Sequence, residues 1–131
     1  MTPASADPAE DTGPRAFACT FDQGTSWSYS NSAYKTSAPA TLSFGISDIN
    51  LDQQTAKLIT DDNKVSPGTL RIVRAVNANH FLEVVNEGFL NLTTIYDKDP
   101  STGNYPAVHS RHLGVLGQPV FAQYAGFCTA K

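Results

Sequence analysis

The sequence predicts an all-β protein, a single-domain antiparallel meander of about eight strands that closes into a small up-and-down β-barrel. Three observations carry this. Short runs of β-branched, aromatic and aliphatic residues recur along the chain, parted at short intervals by Gly, Pro, Asn and Asp. Charged residues make up only 16% of a chain that is 40% hydrophobic, and Ser, Thr and Asn fill much of the difference. That mixture suits half-buried sheet surfaces better than helices, whose exposed faces are rich in Glu and Lys. Finally, Cys19 and Cys128 stand near opposite ends of the chain. A long meander must curl or close to hide its two edges, and a bridge between its first and last strands is what a closed barrel permits. A two-sheet β-sandwich is the alternative architecture.

The elements follow in order. Residues 1–15 are rich in Pro, Ala and acidic residues, the composition of a disordered leader, and leave 16–131 as the folded domain. Phe17, Cys19 and Phe21 alternate on one face of a first strand, which Asp22-Gln23-Gly24 is expected to turn. Thr25 to Ala40 carries Trp27, Tyr29 and Tyr34 among serines and stops at Pro39, as one or two short edge strands with a loop would. Leu42, Phe44 and Ile46 alternate, and the pattern then slips by one residue to Ile49 and Leu51, which a β-bulge near Ser47-Asp48 explains. Residues 47–59 are expected to form a hairpin turned at Asp52-Gln53-Gln54, with a capped helix as the alternative. Turn residues at 61–64 and Pro67-Gly68 precede a strand over Thr69–Val76, and Asn77-Ala78-Asn79 is the next turn. Beyond the central hairpin, Asp97–Asn104 is a loop, Tyr105–Leu113 a strand, Gly114–Pro119 a loop and Val120–Cys128 the closing strand.

That central hairpin, HFLEVVNEGFLNLTTIY from His80 to Tyr96, joins two strands at Asn86-Glu87-Gly88. A three-residue loop with Gly88 left-handed pairs Leu82 with Leu92 and His80 with Thr94 on one face. It pairs Val85 with Phe89, Glu83 with Asn91 and Phe81 with Thr93 on the other. Both faces then carry apolar residues, although a wall exposed to water should be polar outside. Phe81, Val85, Phe89 and Ile95 therefore form a face to be covered, either by Thr25–Ala40 or by a partner.

The densest set of reactive side chains is His109-Ser110-Arg111-His112. On a strand His109 and Arg111 share one face, Ser110 and His112 the other, so the two histidines are not a local metal pair. Arg111 is the residue suited to an inter-strand ion pair. Ser110 and His112 lack the framing of a nucleophile elbow. A structural or recognition role is expected for all four. Asp97–Gly103 departs from a calcium loop in the position of its glycine and in lacking the final glutamate. Asn91-Leu92-Thr93 matches the glycosylation pattern but falls within a strand. No motif calls for a cofactor or a metal.

The segments EVVNEGFLNLTTIY, YPAVHSRH and QYAGFC resemble, in order and spacing, a family of small exported bacterial proteins without an assigned activity. The residues that carry the resemblance are Gly88, Thr93 to Tyr96, Ala107 to His112, Tyr124, Gly126 and Cys128, in the C-terminal half. The upstream half is similar only in its general layout. The resemblance implies export and supports a Cys19–Cys128 disulfide. Buried, unpaired thiols are the other reading of that pair.

A net charge of −3 with no basic stripe excludes a nucleic-acid partner, and no apolar run approaches the roughly 20 residues that span a bilayer. The expected function is a non-enzymatic binding module of the bacterial periplasm or cell envelope, its ligand a small apolar molecule or a protein. An inhibitor of an exported or foreign hydrolase is the alternative. An enzyme using Ser110, His112 or His109 is the least favoured. The expected location is periplasmic or secreted, after removal of a signal peptide. Oligomeric state is left open.

Overall fold

The computed structural model of the protein describes residues 13–60, 64–65, 69–86, 89–115 and 117–131. Among these residues nine strands form and no helix. They are β1 (Phe17–Ser30), β2 (Ala33–Ser37), β3 (Leu42–Asn50), β4 (Thr55–Ile59), β5 (Leu70–Ala75), β6 (Ala78–Asn86), β7 (Phe89–Tyr96), β8 (Tyr105–Val115) and β9 (Gln118–Ala130). All pair antiparallel in one sheet ordered β2-β1-β3-β4-β5-β6-β7-β8-β9, and β1 also pairs with β9. The hydrogen bonds therefore run in a barrel-like ring of eight strands, with β2 as an added arm.

One long strand makes this closure possible. Asp22-Gln23-Gly24 is not a turn, as expected, but part of a continuous 14-residue β1. A register shift between Thr20 and Gln23 against β9 absorbs the irregularity. Such a bulge bends the strand and increases its twist. Below the bend β1 pairs with β3 from Phe17↔Ile46 to Phe21↔Leu42, and above it with β2 from Ser26↔Ser37 to Ser30↔Ala33. The β1–β2 turn has Asn31 and Ser32 at φ 52° and 64°, the two left-handed residues of a tight hairpin turn. Gly126 of β9 lies so close to the bend that a Cβ there would collide with the Thr20 carbonyl. Cys19 and Cys128 face each other across this seam and are bonded.

The slip at Ser47-Asp48 is a bulge, with the β3–β4 register shifting between Ser47 and Asn50 and Asp48 at φ 52°. It turns both Ile46 and Ile49 into the core. Residues 47–59 form the hairpin. At the next turn the break falls one residue earlier than expected, since β6 begins at Ala78 and Asn77 alone takes a positive φ, 66°. Among the described residues the β4–β5 seam is the shortest, with Thr55↔Arg71 and Ala56↔Leu70 in register.

The central hairpin keeps the predicted register through Ala78↔Tyr96, His80↔Thr94 and Glu83↔Asn91. It then shifts before Asn86↔Phe89, so Val85 does not oppose Phe89. The leader over residues 1–12, the turn residues 61–63 and 67–68, the Glu87-Gly88 loop with its left-handed Gly88, and the Val85 side chain lie outside the described residues. At the edge of the leader, the Arg15 carbonyl accepts a hydrogen bond from the Ile49 N–H.

Of the face expected to need cover, Phe81 and Ile95 lie inside the ring and Phe89 does not. Phe81 and Ile95 are 2% and 4% exposed in the core, whereas Phe89 is 43% exposed near the hairpin tip. The Thr25–Ala40 stretch builds the β1–β2 arm instead. The outer side of the hairpin carries Leu82 and Leu92, paired across it, and an exposed Leu90 and Tyr96.

Candidate functional site

Interior positions on neighbouring strands fall into rows, because side chains alternate and cross-strand partners share a face. One row runs Phe81–Thr93–His109–Tyr124 through β6, β7, β8 and β9. The next runs Glu83–Asn91–Arg111–Ala122. The first row is buried: Thr93, His109 and Tyr124 are 5%, 3% and 8% exposed.

His109 sits among rings, with the centroids of Phe44, Phe21 and Tyr124 at 5.1, 5.7 and 5.9 Å. Both of its nitrogens are engaged. Arg111 Nε is 3.0 Å from Nε2, and Thr93 Oγ1 is 2.7 Å from Nδ1. A guanidinium N–H only donates, so Nε2 accepts; Nδ1 then carries the proton and donates to the threonine. Burial, and secondarily the charge of Arg111, lowers the imidazole pKa from 6.5 to about 3. His109 is a neutral strut between a hydroxyl and a cation. It fixes Arg111, whose guanidinium carbon also lies 6.0 Å from the Tyr124 ring centroid.

Arg111 makes no ion pair with any described residue. The nearest acid on its row, Glu83, accepts from Asn91 Nδ2 at 3.1 Å through Oε1. Asn91 Oδ1 is buried and has no hydrogen-bond partner among the described residues. A cleft of about 190 Å³ opens here, lined by apolar Leu42, Phe44 and Leu58 and by polar Ser43, Thr60, Glu83, His109 and Arg111. Phe17, Phe21, Ile46, Ile72, Phe81, Ile95 and the disulfide belong to the buried core, and two further clefts, of about 250 and 280 Å³, open beside Phe17 and Ile59 and beside Tyr96 and Phe127. The cleft at Arg111 brings together an acid, a cation and an apolar wall. Of the charged groups that line it, Arg111 can bind an anion and the second Glu83 oxygen can accept from a proton donor; Asn91 does not line the cleft and acts on it through Glu83.

The other two residues of the His-Ser-Arg-His stretch are on the outside. Ser110 Oγ donates to Gln123 Oε1 at 2.7 Å, and exposed His112 stacks on Phe121 with centroids 6.2 Å apart. Phe121 also stacks on Trp27 at 5.1 Å, which ties this edge to the β1–β2 arm. His80 is outside as well, its Nδ1 2.7 Å from Thr94 Oγ1. The two threonines of the TTIY segment thus hold one histidine each, on opposite faces. Among the described residues no three His, Cys, Asp or Glu side chains gather to hold a metal ion. In the Asp97–Gly103 loop, Asp99 Oδ1 accepts from the N–H and hydroxyl of Ser101, the backbone bond being the larger cause of its lowered pKa. That carboxylate is engaged in its own turn.

Sequence reasoning placed His109 and Arg111 on one face but did not join Thr93, Glu83, Asn91 and Tyr124 to them. The signal was present. The hairpin register put Phe81, Glu83, Asn91 and Thr93 on a shared face, and the polar members of that face are the interior ones. The missing link was the β7–β8 register, Thr93↔His109 and Asn91↔Arg111.

No family model, curated protein or solved structure matches the chain.

Proposed function

We propose that the protein is a non-enzymatic binding module of the bacterial periplasm or cell envelope that takes a small molecule into the cleft at the Arg111 mouth of the ring. The observation that carries this reading is the coincidence of a cleft of about 190 Å³ with a guanidinium that is held in place yet unpaired by any carboxylate among the described residues. Three features hold that guanidinium, namely His109, the Tyr124 ring and the register of β8 between β7 and β9. Pre-organisation of this kind lowers the cost of binding. The lining joins five polar residues to three apolar ones, so the ligand is amphipathic and not purely apolar. The disulfide supports an oxidising compartment, and no helix is long and apolar enough to cross a membrane. The resemblance of the C-terminal half to exported bacterial proteins points the same way.

Native mass spectrometry of protein purified from an envelope fraction, beside a Leu42→Trp variant that fills the cleft mouth, tests this. A small molecule carried by the wild type and absent from the variant is the expected result. No carried molecule in either, or equal amounts in both, would remove the cleft from the account.

A further inference from the structure

We infer, resting on the cleft reading above, that the ligand class is a free amino acid with an apolar side chain. An acid and a cation face the cleft from a single interior row. Glu83, Asn91 and Arg111 are cross-strand neighbours on β6, β7 and β8. Strand spacing therefore sets the acid and the guanidinium roughly 10 Å apart at their Cα atoms, with the amide between them. At that separation the two side chains can hold a small molecule between their charged ends. Both line the cleft, and no direct ion pair joins them.

Each group is short of a partner of definite polarity. Arg111 spends Nε on His109, so its two terminal amino groups are the donors left, in the planar fork that suits a carboxylate. Asn91 spends Nδ2 on Glu83 and so positions that carboxylate; its own Oδ1 is buried, with no donor among the described residues, and lies off the cleft lining. Glu83 spends Oε1 on that amide and keeps a second oxygen. A purely anionic ligand would satisfy Arg111 but bring its charge beside Glu83. A purely cationic one would do the reverse. A molecule with a carboxylate and an ammonium on one carbon satisfies both Arg111 and Glu83. Its side chain would meet Leu42, Phe44 and Leu58, the apolar wall of the cleft. The neutral state of His109 fits this arrangement, since no second cation competes for the carboxylate.

Titration calorimetry with leucine, 4-methylpentanoate (leucine without its amine) and isoamylamine (leucine without its carboxylate) tests the inference on the wild-type protein. Leucine should bind at least tenfold more tightly than either half. Glu83→Gln should erase most of its advantage over the acid, and Arg111→Lys most of its advantage over the amine. Circular dichroism melts establish that both variants fold, and the wild-type comparison stands without them. Equal binding of leucine and 4-methylpentanoate, abolished by Leu42→Trp, would overturn the amino-acid assignment and leave the cleft as an anion site. Absence of binding by all three would also overturn it, while a small molecule carried by the native protein and displaced by Leu42→Trp would keep the cleft reading intact.

Discussion

At the scale of single residues, a buried polar group is tolerable only when its partners are fixed, and His109 shows how sheet register supplies them. Thr93 stands directly across from it on β7, and Arg111 follows two residues on along β8, on the same face. Thr93→Val keeps the shape but leaves the Nδ1–H without an acceptor. That should cost about 1–3 kcal/mol in a urea melt, and it should weaken ligand binding by loosening Arg111. A melt unchanged within a few tenths of a kcal/mol would mean that the imidazole finds another acceptor. The identity of Arg111's partner was not legible from the sequence. Its fork suggested an ion pair, but its contact is the neutral ring two residues back.

At the scale of elements, alternation carried the reading far where one face is apolar and failed where the inside is polar. Leu42, Phe44 and Ile46 announced both β3 and its bulge, since only an extra residue lets Ile46 and Ile49 face one way. The central hairpin was legible in its register as far as Glu83↔Asn91 but not in its sidedness. Two apolar faces look alike in a sequence, and the inner one also carries Glu83, Asn91 and Thr93, which resemble a surface. Asp22-Gln23-Gly24 has the composition of a turn, yet the chain spends those residues on bending β1. Local turn chemistry cannot separate a reversal from a bulge when the pairing that decides it is far away. The bulge at Asp48 gives a direct check. Its φ of 52° is costly for a β-branched residue and free for glycine. Asp48→Gly should therefore be neutral or stabilising, while Asp48→Val should destabilise by about 1–3 kcal/mol. Denaturant melts of the pair measure the difference, and similar values for both would show that the bulge relaxes.

At the scale of the whole molecule, closure depends on the seam between the first and last strands, and the disulfide lies across it. The bond joins residues 109 apart. Closing a loop of that order in the unfolded chain is worth nearly 5 kcal/mol in the chain-entropy model. Reduction should lower the urea midpoint strongly, and an unchanged midpoint would mean that the seam holds without it. Closure was legible because the cysteines sit at the two ends. The cleft was not, because it depends on which interior positions line up across four strands. Its organisation also makes stability depend on pH. The folded-state pKa of His109, about 3, lies below the unfolded value near 6.5, so as pH falls below 6.5 the unfolded chain takes up the proton first. The stability contribution is full above that pH and is lost progressively down to about 3, at no more than about 1.4 kcal/mol per pH unit. The central claim is that a buried, neutral His109 holds Arg111 at the mouth of the ring, and a nitrogen-15 NMR titration of the imidazole tests it most directly. The predicted result is a neutral ring with its proton on Nδ1 from pH 7.5 down to about 4; a ring that gains its second proton near pH 6.5, or that carries its proton on Nε2, would contradict it.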